Sequence, residues 1–295
     1  MTIGARYRRW LFVRGELHAL ALFRIGWSLS MFIAAQTEAE LPALYSRAHY
    51  HVPLVSWATP LDAAQLGRLL CLAQLGAVLA GSGALPRLGT ALVLGALGYL
   101  FALDLLLFRI HVYLGLLTGA LLLLSPAGRV LSAQAWLRGL FGRPCDTRGS
   151  LVTAQLIKAQ VLIVYGYSVL NKLRPSFLDG FTLQQELPFA LRESVLHGSL
   201  FSAPGVLAPA VQALLRNDAA MAAVSYVVVA VEAFLTLGLP LRRLRPWAIG
   251  LGLLLHGSIY LLMDIRVFGL LMVSSYGLFL EPRRTDPLMA QPVPD

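Results

Sequence analysis

The chain has 295 residues, of which 57% are hydrophobic and 13% are charged, with a mean hydropathy of +0.69. Soluble domains carry about 25% charged residues, so this composition excludes an ordinary soluble domain and predicts a polytopic membrane protein. The formal net charge of +9 does not point to nucleic acid, because membrane proteins concentrate Lys and Arg in their cytoplasmic loops. We expect the lipid bilayer as a partner and no binding of nucleic acid.

Eight apolar segments follow one another along the chain, and each is long enough to cross a hydrocarbon core of about 30 Å as a helix. Arg24 interrupts the first segment and no small-residue cleavage site follows it, so we expect a retained first span rather than a signal peptide. The chain is therefore predicted to be an all-α polytopic membrane protein, with a single transmembrane domain over residues 1–295 and no separate soluble domain. The predicted spans are residues 17–36, 67–85, 88–107, 110–126, 151–171, 219–239, 247–263 and 265–281.

Arginines are distributed unevenly between the two sides of these spans. If the amino terminus lies inside the cell, the inner segments hold most of the arginines, whereas the outer segments mix arginines with acidic residues. We therefore predict cytoplasmic amino and carboxyl termini in a multi-pass protein of the inner (plasma) membrane. Two outer loops, residues 37–66 and 173–218, are long, and the second is apolar but broken by prolines. Short amphipathic or re-entrant helices are expected there.

Motifs of familiar soluble chemistry are missing from the sequence. It contains no Gly-rich nucleotide loop, nucleophile elbow or zinc-protease signature, and its two cysteines, Cys71 and Cys145, have neither disulfide nor metal spacing. His111 and His256 fall at different predicted depths, so no metal site is expected.

Ionisable side chains inside the spans are informative, because each costs roughly 2.5 to 3.5 kcal/mol at the bilayer centre unless it is paired or faces water. Counting the helical rise from the cytoplasmic ends places Arg24, Lys158 and Glu232 in the inner half. Opposite charges buried inside a protein are usually paired. We expect Glu232 to neutralise Arg24, Lys158 or both, in a structural ion pair that holds the first, fifth and sixth spans together.

A second ionisable group is predicted at the outer half, towards the extracytoplasmic side. Its lysine belongs to a polar stripe, because Lys158, Tyr165 and Lys172 lie seven residues apart and stay within about 40° of one face of the fifth span. That stripe is expected to face the interior of the bundle, where a lysine that loses its hydration can act as a base. The outer group consists of Asp104, Arg109, His111, Lys172, Asp264 and Arg266.

One stretch of the fifth span carries a specific resemblance. "QVLIVYGYSVLNKLRPSFLDG", residues 160–180, resembles the pattern Q-x-F-I-V-Y-x-x-A-G-x-K-K-L-x-x-x-W-x-x-G of vitamin K-dependent γ-carboxylase and its bacterial relatives, the horizontally transferred transmembrane (HTTM) domain proteins. Further similar segments follow the family's order, and together they cover about residues 15–282. These segments are "ALALFRIGWSL", "IHVYLGLLTGALLLLSP", "VEAFLTLGLPL" and "LLLHGSIYLLMDIRVFGLLM".

The resemblance implies a chemistry. In the carboxylase, the second lysine of the pair deprotonates reduced vitamin K, which reacts with oxygen to give a strong base and finally an epoxide. That base removes a γ-proton from a peptide glutamate, and carbon dioxide adds. If this chain is an enzyme, it is thus expected to be carboxylase- or epoxidase-like. By resemblance the catalytic residues are Lys172, His111 and His256, and we expect Tyr165, Asn171 and Asp264 to contact a reduced, vitamin K-like quinone.

Some positions depart from the family pattern: Asn171 stands for the first lysine, Phe177 for the tryptophan and Ile110 for the asparagine before the histidine. The resemblance covers the membrane domain, so a peptide or protein substrate or partner would be supplied in trans. Three functions stay open: a quinol-dependent oxygenase or carboxylase-type enzyme, a non-catalytic helper subunit in peptide maturation, and a small-molecule or quinone carrier. The absence of detectable repeats counts against the carrier.

Overall fold

The fold was analysed in a computed structural model, which describes Gly4, Arg8 and residues 10–39, 57–103, 109–143, 145–196, 213–263 and 266–280. These residues form a helical bundle with one short pair of antiparallel strands. In chain order the elements are β1 (Arg14–Glu16), α1 (His18–Ala39), α2 (Ala63–Ser82), α3 (Pro86–Leu103), α4 (Ile110–Leu123), α5 (Ala133–Leu140), β2 (Arg148–Ser150), α6 (Val152–Lys172), α7 (Pro175–Leu178), α8 (Phe181–Leu196), α9 (Asp218–Gly238), α10 (Arg245–Met263) and α11 (Arg266–Tyr276).

A helix overlaps each of the predicted spans, which are represented by α1 to α4, α6 and α9 to α11. Among the described residues, five helices are both long and apolar enough to cross a membrane, namely α1, α2, α3, α6 and α9. Ile110–Leu123 and Val267–Phe279 are shorter apolar helices. The predicted all-α membrane class is therefore confirmed, while the number of eight spans and the cytoplasmic position of the termini stay predictions.

Local sequence explains the tight hairpin of α2 and α3. The Asp62 side chain caps the start of α2 by accepting a hydrogen bond from the backbone N–H of Gln65, whose own side-chain oxygen accepts one from the backbone N–H of Asp62. Gly83 ends α2 with a φ of 67°, a conformation that favours glycine. Gly76 and Gly89 then let the two helices touch, since a Cβ at either residue would meet the backbone oxygen of the other.

The bundle consists of two groups of helices that meet along α1. The first group is α1 to α4, and the second is α6, α9, α10 and α11. Gly26 lets α1 approach α11, because a Cβ there would lie 2.6 Å from the Cβ of Ser274. Within the first group, Trp27 donates an indole hydrogen bond to the backbone oxygen of Gly115, 2.8 Å away. Strands β1 and β2 tie the starts of α1 and α6 together.

Helices α6 and α9 are offset along their axes. Gly166 lies opposite Thr236, whereas Gly180, well beyond the end of α6, lies against Met221 in the first turn of α9. Gly180 has a φ of 87°, and a Cβ there would lie 2.7 Å from backbone atoms of α9, so both conformation and space require glycine. As a result, α9 extends past Lys172. Helices α7 and α8, which follow α6, pack on this extension of α9, and α8 also packs on α10.

Helices α7 and α8 fall in the second predicted outer loop, so the expectation of short helices in that loop is confirmed for residues 175–196. Residues 197–212 of this loop and residues 40–56 of the first loop lie outside the described part of the chain.

Candidate functional site at Lys172 and Glu232

The buried cation of α1 binds main-chain carbonyls. Arg24 is 1% exposed, and its guanidinium donates hydrogen bonds to the backbone oxygens of Ala127 at 3.0 Å and Leu131 at 2.6 Å, with a longer one to Gly81 at 3.4 Å. Gly81 lies in the last turn of α2, where a helix end leaves carbonyls without partners, and Ala127 and Leu131 lie in the segment between α4 and α5. The predicted pairing of Arg24 with Glu232 is therefore wrong, because the Arg24 guanidinium binds helix-end carbonyls instead.

Glu232 pairs with Lys172. The Lys172 Nζ atom lies 2.6 Å from Glu232 Oε1 and also donates to Ser168 Oγ at 2.6 Å. The carboxylate is almost fully buried, with 8% of its side chain exposed, while the lysine side chain is 25% exposed. From sequence alone, Lys172 and Glu232 were placed in opposite halves of the bilayer, because all spans were assumed to begin at the same depth in the membrane. The offset of α6 and α9 brings them level.

A phenyl ring adds to the surroundings of this amine. The centroid of the Phe177 ring lies 5.7 Å from Lys172 Nζ, within the range of a cation–π interaction. Phe177 belongs to α7, which the turn at Gly180 holds against α9. The aromatic position of the family pattern therefore has a physical role here, since its ring covers the ammonium group.

Next to the ion pair, three ring side chains form a buried hydrogen-bonded cluster, the Tyr165 cluster, made of Tyr165, His256 and Tyr276. The Tyr165 hydroxyl lies 2.6 Å from His256 Nε2 and 2.5 Å from the Tyr276 hydroxyl. All three side chains are 2% exposed. They come from α6, α10 and α11, so the cluster joins three helices of the second group at one point.

Helix α6 links the ion pair to the Tyr165 cluster, because it carries both Lys172 and Tyr165. Lysine and tyrosine are two turns apart on α6, and the lysine side chain reaches back towards the tyrosine by bonding Ser168, four residues earlier. These side chains therefore form one continuous polar region inside an otherwise apolar bundle.

Two buried atoms of this polar region have no hydrogen-bond partner among the described residues, Glu232 Oε2 and His256 Nδ1. Native proteins rarely leave such atoms unsatisfied, and exceptions mark functional sites or a missing ligand. A carboxylate oxygen accepts a hydrogen bond, and an imidazole nitrogen accepts or donates one. Both atoms can therefore form a hydrogen bond with a hydroxyl group.

The other sequence-predicted residues are placed as follows. Lys158 is buried on the same face of α6 as Tyr165, which agrees with the inward polar stripe, and its Nζ lies 5.8 Å from the ring centroid of Phe279. Asn171 is exposed beside Lys172. His111 is half-buried near the charge of Arg109, and within the described residues no hydrogen bond joins it to Lys172 or to the Tyr165 cluster. Asp104 and Asp264 lie outside the described residues.

Sequence reasoning missed Ser168 and Tyr276. Ser168 had a signal, since a hydroxyl four residues before a lysine lies on the same face of a helix. Tyr276 had none, because its contact depends on how α11 packs against α6. Arg109, a member of the predicted outer group, bonds Glu38 at 2.8 Å and so links the end of α1 to the start of α4.

Comparison with known proteins identifies the family of this chain. No curated protein and no solved structure matches the chain significantly. The family model of the HTTM domain matches residues 14–283, which is nearly the whole chain. This domain occurs in vitamin K-dependent carboxylase-like membrane proteins. The chain therefore belongs to the HTTM domain family of membrane proteins.

Proposed function

We propose that this protein is a carboxylase-like membrane enzyme that takes a proton from a lipid-soluble quinol at the Lys172–Glu232 pair. The observation that carries the proposal is the buried ion pair lying beside the Tyr165 cluster, with an unpartnered oxygen on Glu232 and an unpartnered nitrogen on His256. A structural ion pair would be expected to satisfy its buried atoms fully.

The pair has room for one more proton. When Lys172 is an ammonium and Glu232 a carboxylate, the carboxylate can accept the quinol proton. When the proton between the two side chains has moved from Lys172 to Glu232, the neutral lysine amine can accept the quinol proton. Either way the quinol hydroxyl loses a proton, and a positively charged Lys172 remains to stabilise the resulting oxyanion. Tyr165 holds the His256 ring through Nε2, which leaves Nδ1 to orient the quinone oxygen.

The peptide acceptor is proposed to come from a partner supplied in trans. Oxygen and carbon dioxide would be the small co-substrates, as the family resemblance implies. We expect the site to lie towards the extracytoplasmic side, as the predicted orientation of the chain implies.

Turnover of quinol tests the proposal. The purified protein in lipid nanodiscs, supplied with vitamin K hydroquinone, oxygen and bicarbonate, is expected to consume quinol and form epoxide. Chromatography measures both compounds, and a sample without protein corrects for autoxidation of the quinol. Lys172→Met is expected to lower the rate about 100-fold or more, the range for loss of a general base. Arg174→Met is the matched control, because Arg174 is an exposed basic neighbour without a side-chain capping bond. Equal rates in Lys172→Met and wild type would refute the proposal.

A non-catalytic helper subunit is the second candidate, and one observation favours it. Both hydrogen bonds of Lys172 Nζ, to Glu232 and Ser168, are made within the chain, as in a purely structural ion pair. If the wild-type protein neither binds nor consumes quinol, while Lys172→Met lowers its stability, the helper function is the better account. Extraction of the purified protein and mass spectrometry of copurifying lipids would show whether a quinone is bound.

A further inference from the structure

The end of the bundle that holds Arg24 also holds a basic groove. A cavity of about 480 Å³ lies between Arg24, the start of α3, the loop after α4 and helix α5. A second cavity of about 980 Å³ adjoins it and shares Arg129, Arg138 and Cys145 with it. We call the two together the arginine groove. The arginines that line it are Arg24, Arg87, Arg129, Arg138 and Arg143.

Charge in the arginine groove is strongly positive. Among the described lining residues, Asp146 is the acid, and its Oδ1 accepts a hydrogen bond from the backbone N–H of Arg148. Arg24, although 1% exposed and bonded to carbonyls, keeps its Nε without a hydrogen-bond partner among the described residues. Ser125, Thr90 and Gln134 add neutral polar groups to the lining. Such a cavity suits an anion with several oxygens, above all a phosphate.

Helix α5 indicates where that phosphate comes from. It buries none of its residues and exposes large apolar side chains, with Trp136 66% and Phe141, just after it, 79% exposed. On the same helix Arg138 lines the groove. An exposed amphipathic helix with Trp and Arg is typical of one that lies in the headgroup region of a bilayer. A free phosphorylated solute would not require this apolar face.

We propose that the arginine groove binds the phosphate headgroup of an anionic membrane lipid, on the bilayer face opposite the Lys172 site. Basic pockets between transmembrane helices on the cytoplasmic side bind such headgroups, and the predicted orientation places this end in the cytoplasm. Trp136 and Phe141 rest in the interface beside the lipid, while Arg129 and Arg138 contact its phosphate. This site is independent of the proposed quinol chemistry.

Native mass spectrometry of the full chain tests the proposal, with phosphatidylglycerol and phosphatidylcholine of identical acyl chains. The wild type is expected to retain phosphatidylglycerol preferentially. The double variant Arg129→Gln with Arg138→Gln is expected to bind phosphatidylglycerol at least roughly tenfold more weakly than the wild type, since each basic residue near the surface contributes to anionic lipid binding. The control is Arg68→Gln with Arg174→Gln, two exposed arginines outside the groove with the same loss of charge, and it is expected to bind as the wild type does.

Three results would overturn the proposal: equal retention of the two lipids, equal weakening in the control, or displacement of phosphatidylglycerol by millimolar inorganic phosphate. The last would assign the groove to a soluble phosphate instead. If the double variant does not fold, Arg87→Gln replaces it, because Arg87 is an exposed groove residue on the first turn of α3. This single variant is expected to weaken phosphatidylglycerol binding about threefold or more, and unchanged binding would count against the proposal.

Discussion

Arg24 and Lys172 are both cations inside the bundle, but they are neutralised in different ways. Arg24 is surrounded by backbone carbonyls from two other parts of the first helix group. Lys172 is paired with a carboxylate from α9, one of whose oxygens has no partner among the described residues. The first arrangement binds helix ends together, and the second leaves proton-accepting capacity in an apolar interior. Only the second therefore has the chemistry of a reactive site.

The choice of side chain fits each arrangement. A guanidinium presents several N–H groups in one plane and stays charged, so it suits fixed carbonyls that point from different directions. An ammonium is a compact charge that exchanges protons readily when it is buried, so it suits a site that handles a proton. Exchanging the two residue types would impair both regions.

The largest effect on stability is expected at Arg24. Arg24→Leu leaves the carbonyls of Ala127 and Leu131 without their donor, and should lower the free energy of unfolding by roughly 3 to 5 kcal/mol. Arg24→Lys should recover part of this loss, because one ammonium reaches fewer of the oxygens. Equilibrium unfolding in mixed detergent micelles measures both. Arg68→Leu, an exposed arginine on α2, is the control, and a loss as small as the control's would show that the carbonyl contacts do not matter.

A smaller effect is expected in the Tyr165 cluster. Tyr165→Phe removes the hydroxyl that bonds both His256 and Tyr276, and should cost about 1 to 3 kcal/mol of stability. Tyr167→Phe makes the same chemical change on an exposed residue of the same helix, and should cost almost nothing. Quinol turnover should fall in Tyr165→Phe and stay unchanged in Tyr167→Phe. Identical behaviour of the two variants would remove the cluster from the site.

The smallest effect is expected for the bond between Arg109 and Glu38. The exposed fractions of Arg109 and Glu38, 27% and 7%, are close to those of Lys172 and Glu232, but a glutamine at position 109 keeps an amide that can donate a hydrogen bond to the Glu38 carboxylate. Arg109→Gln should lower the free energy of unfolding by about 1 kcal/mol and leave quinol turnover unchanged. A loss as large as that of Arg24→Leu would mean that the amide does not replace the guanidinium as a partner of Glu38.

Much of the fold could be predicted from sequence. Runs of apolar residues long enough to cross a bilayer predict the helix boundaries to within a few residues, because a segment in lipid must satisfy all its backbone hydrogen bonds internally, as a helix does. Capping residues such as Asp62 and Gly83 then set the ends of α2. These are local properties of the chain, and a sequence displays them directly.

The candidate site was predicted only in part, because its pairing depends on tertiary offsets. Lys172, Tyr165 and His256 were named from spacing and resemblance; Tyr165 bonds His256, and Lys172 lies two turns from Tyr165 on the same helix. The predicted pairing of Glu232 with Arg24 was wrong, and its pairing with Lys172 was missed, since the offset between α6 and α9 has no signature in either helix alone. His111 was predicted by resemblance to join the site, but it lies at the start of α4, in the other helix group.

A double-mutant cycle between Lys172 and Glu232 tests the central claim most directly. The free energy of unfolding is measured for wild type, Lys172→Met, Glu232→Gln and the double variant in the same micelles. Partners in a buried pair are expected to show a coupling of about 2 kcal/mol, with the double variant losing less than the sum of the single losses. Single losses that add to within about 0.5 kcal/mol would contradict the claim, because they would show that the two side chains do not interact.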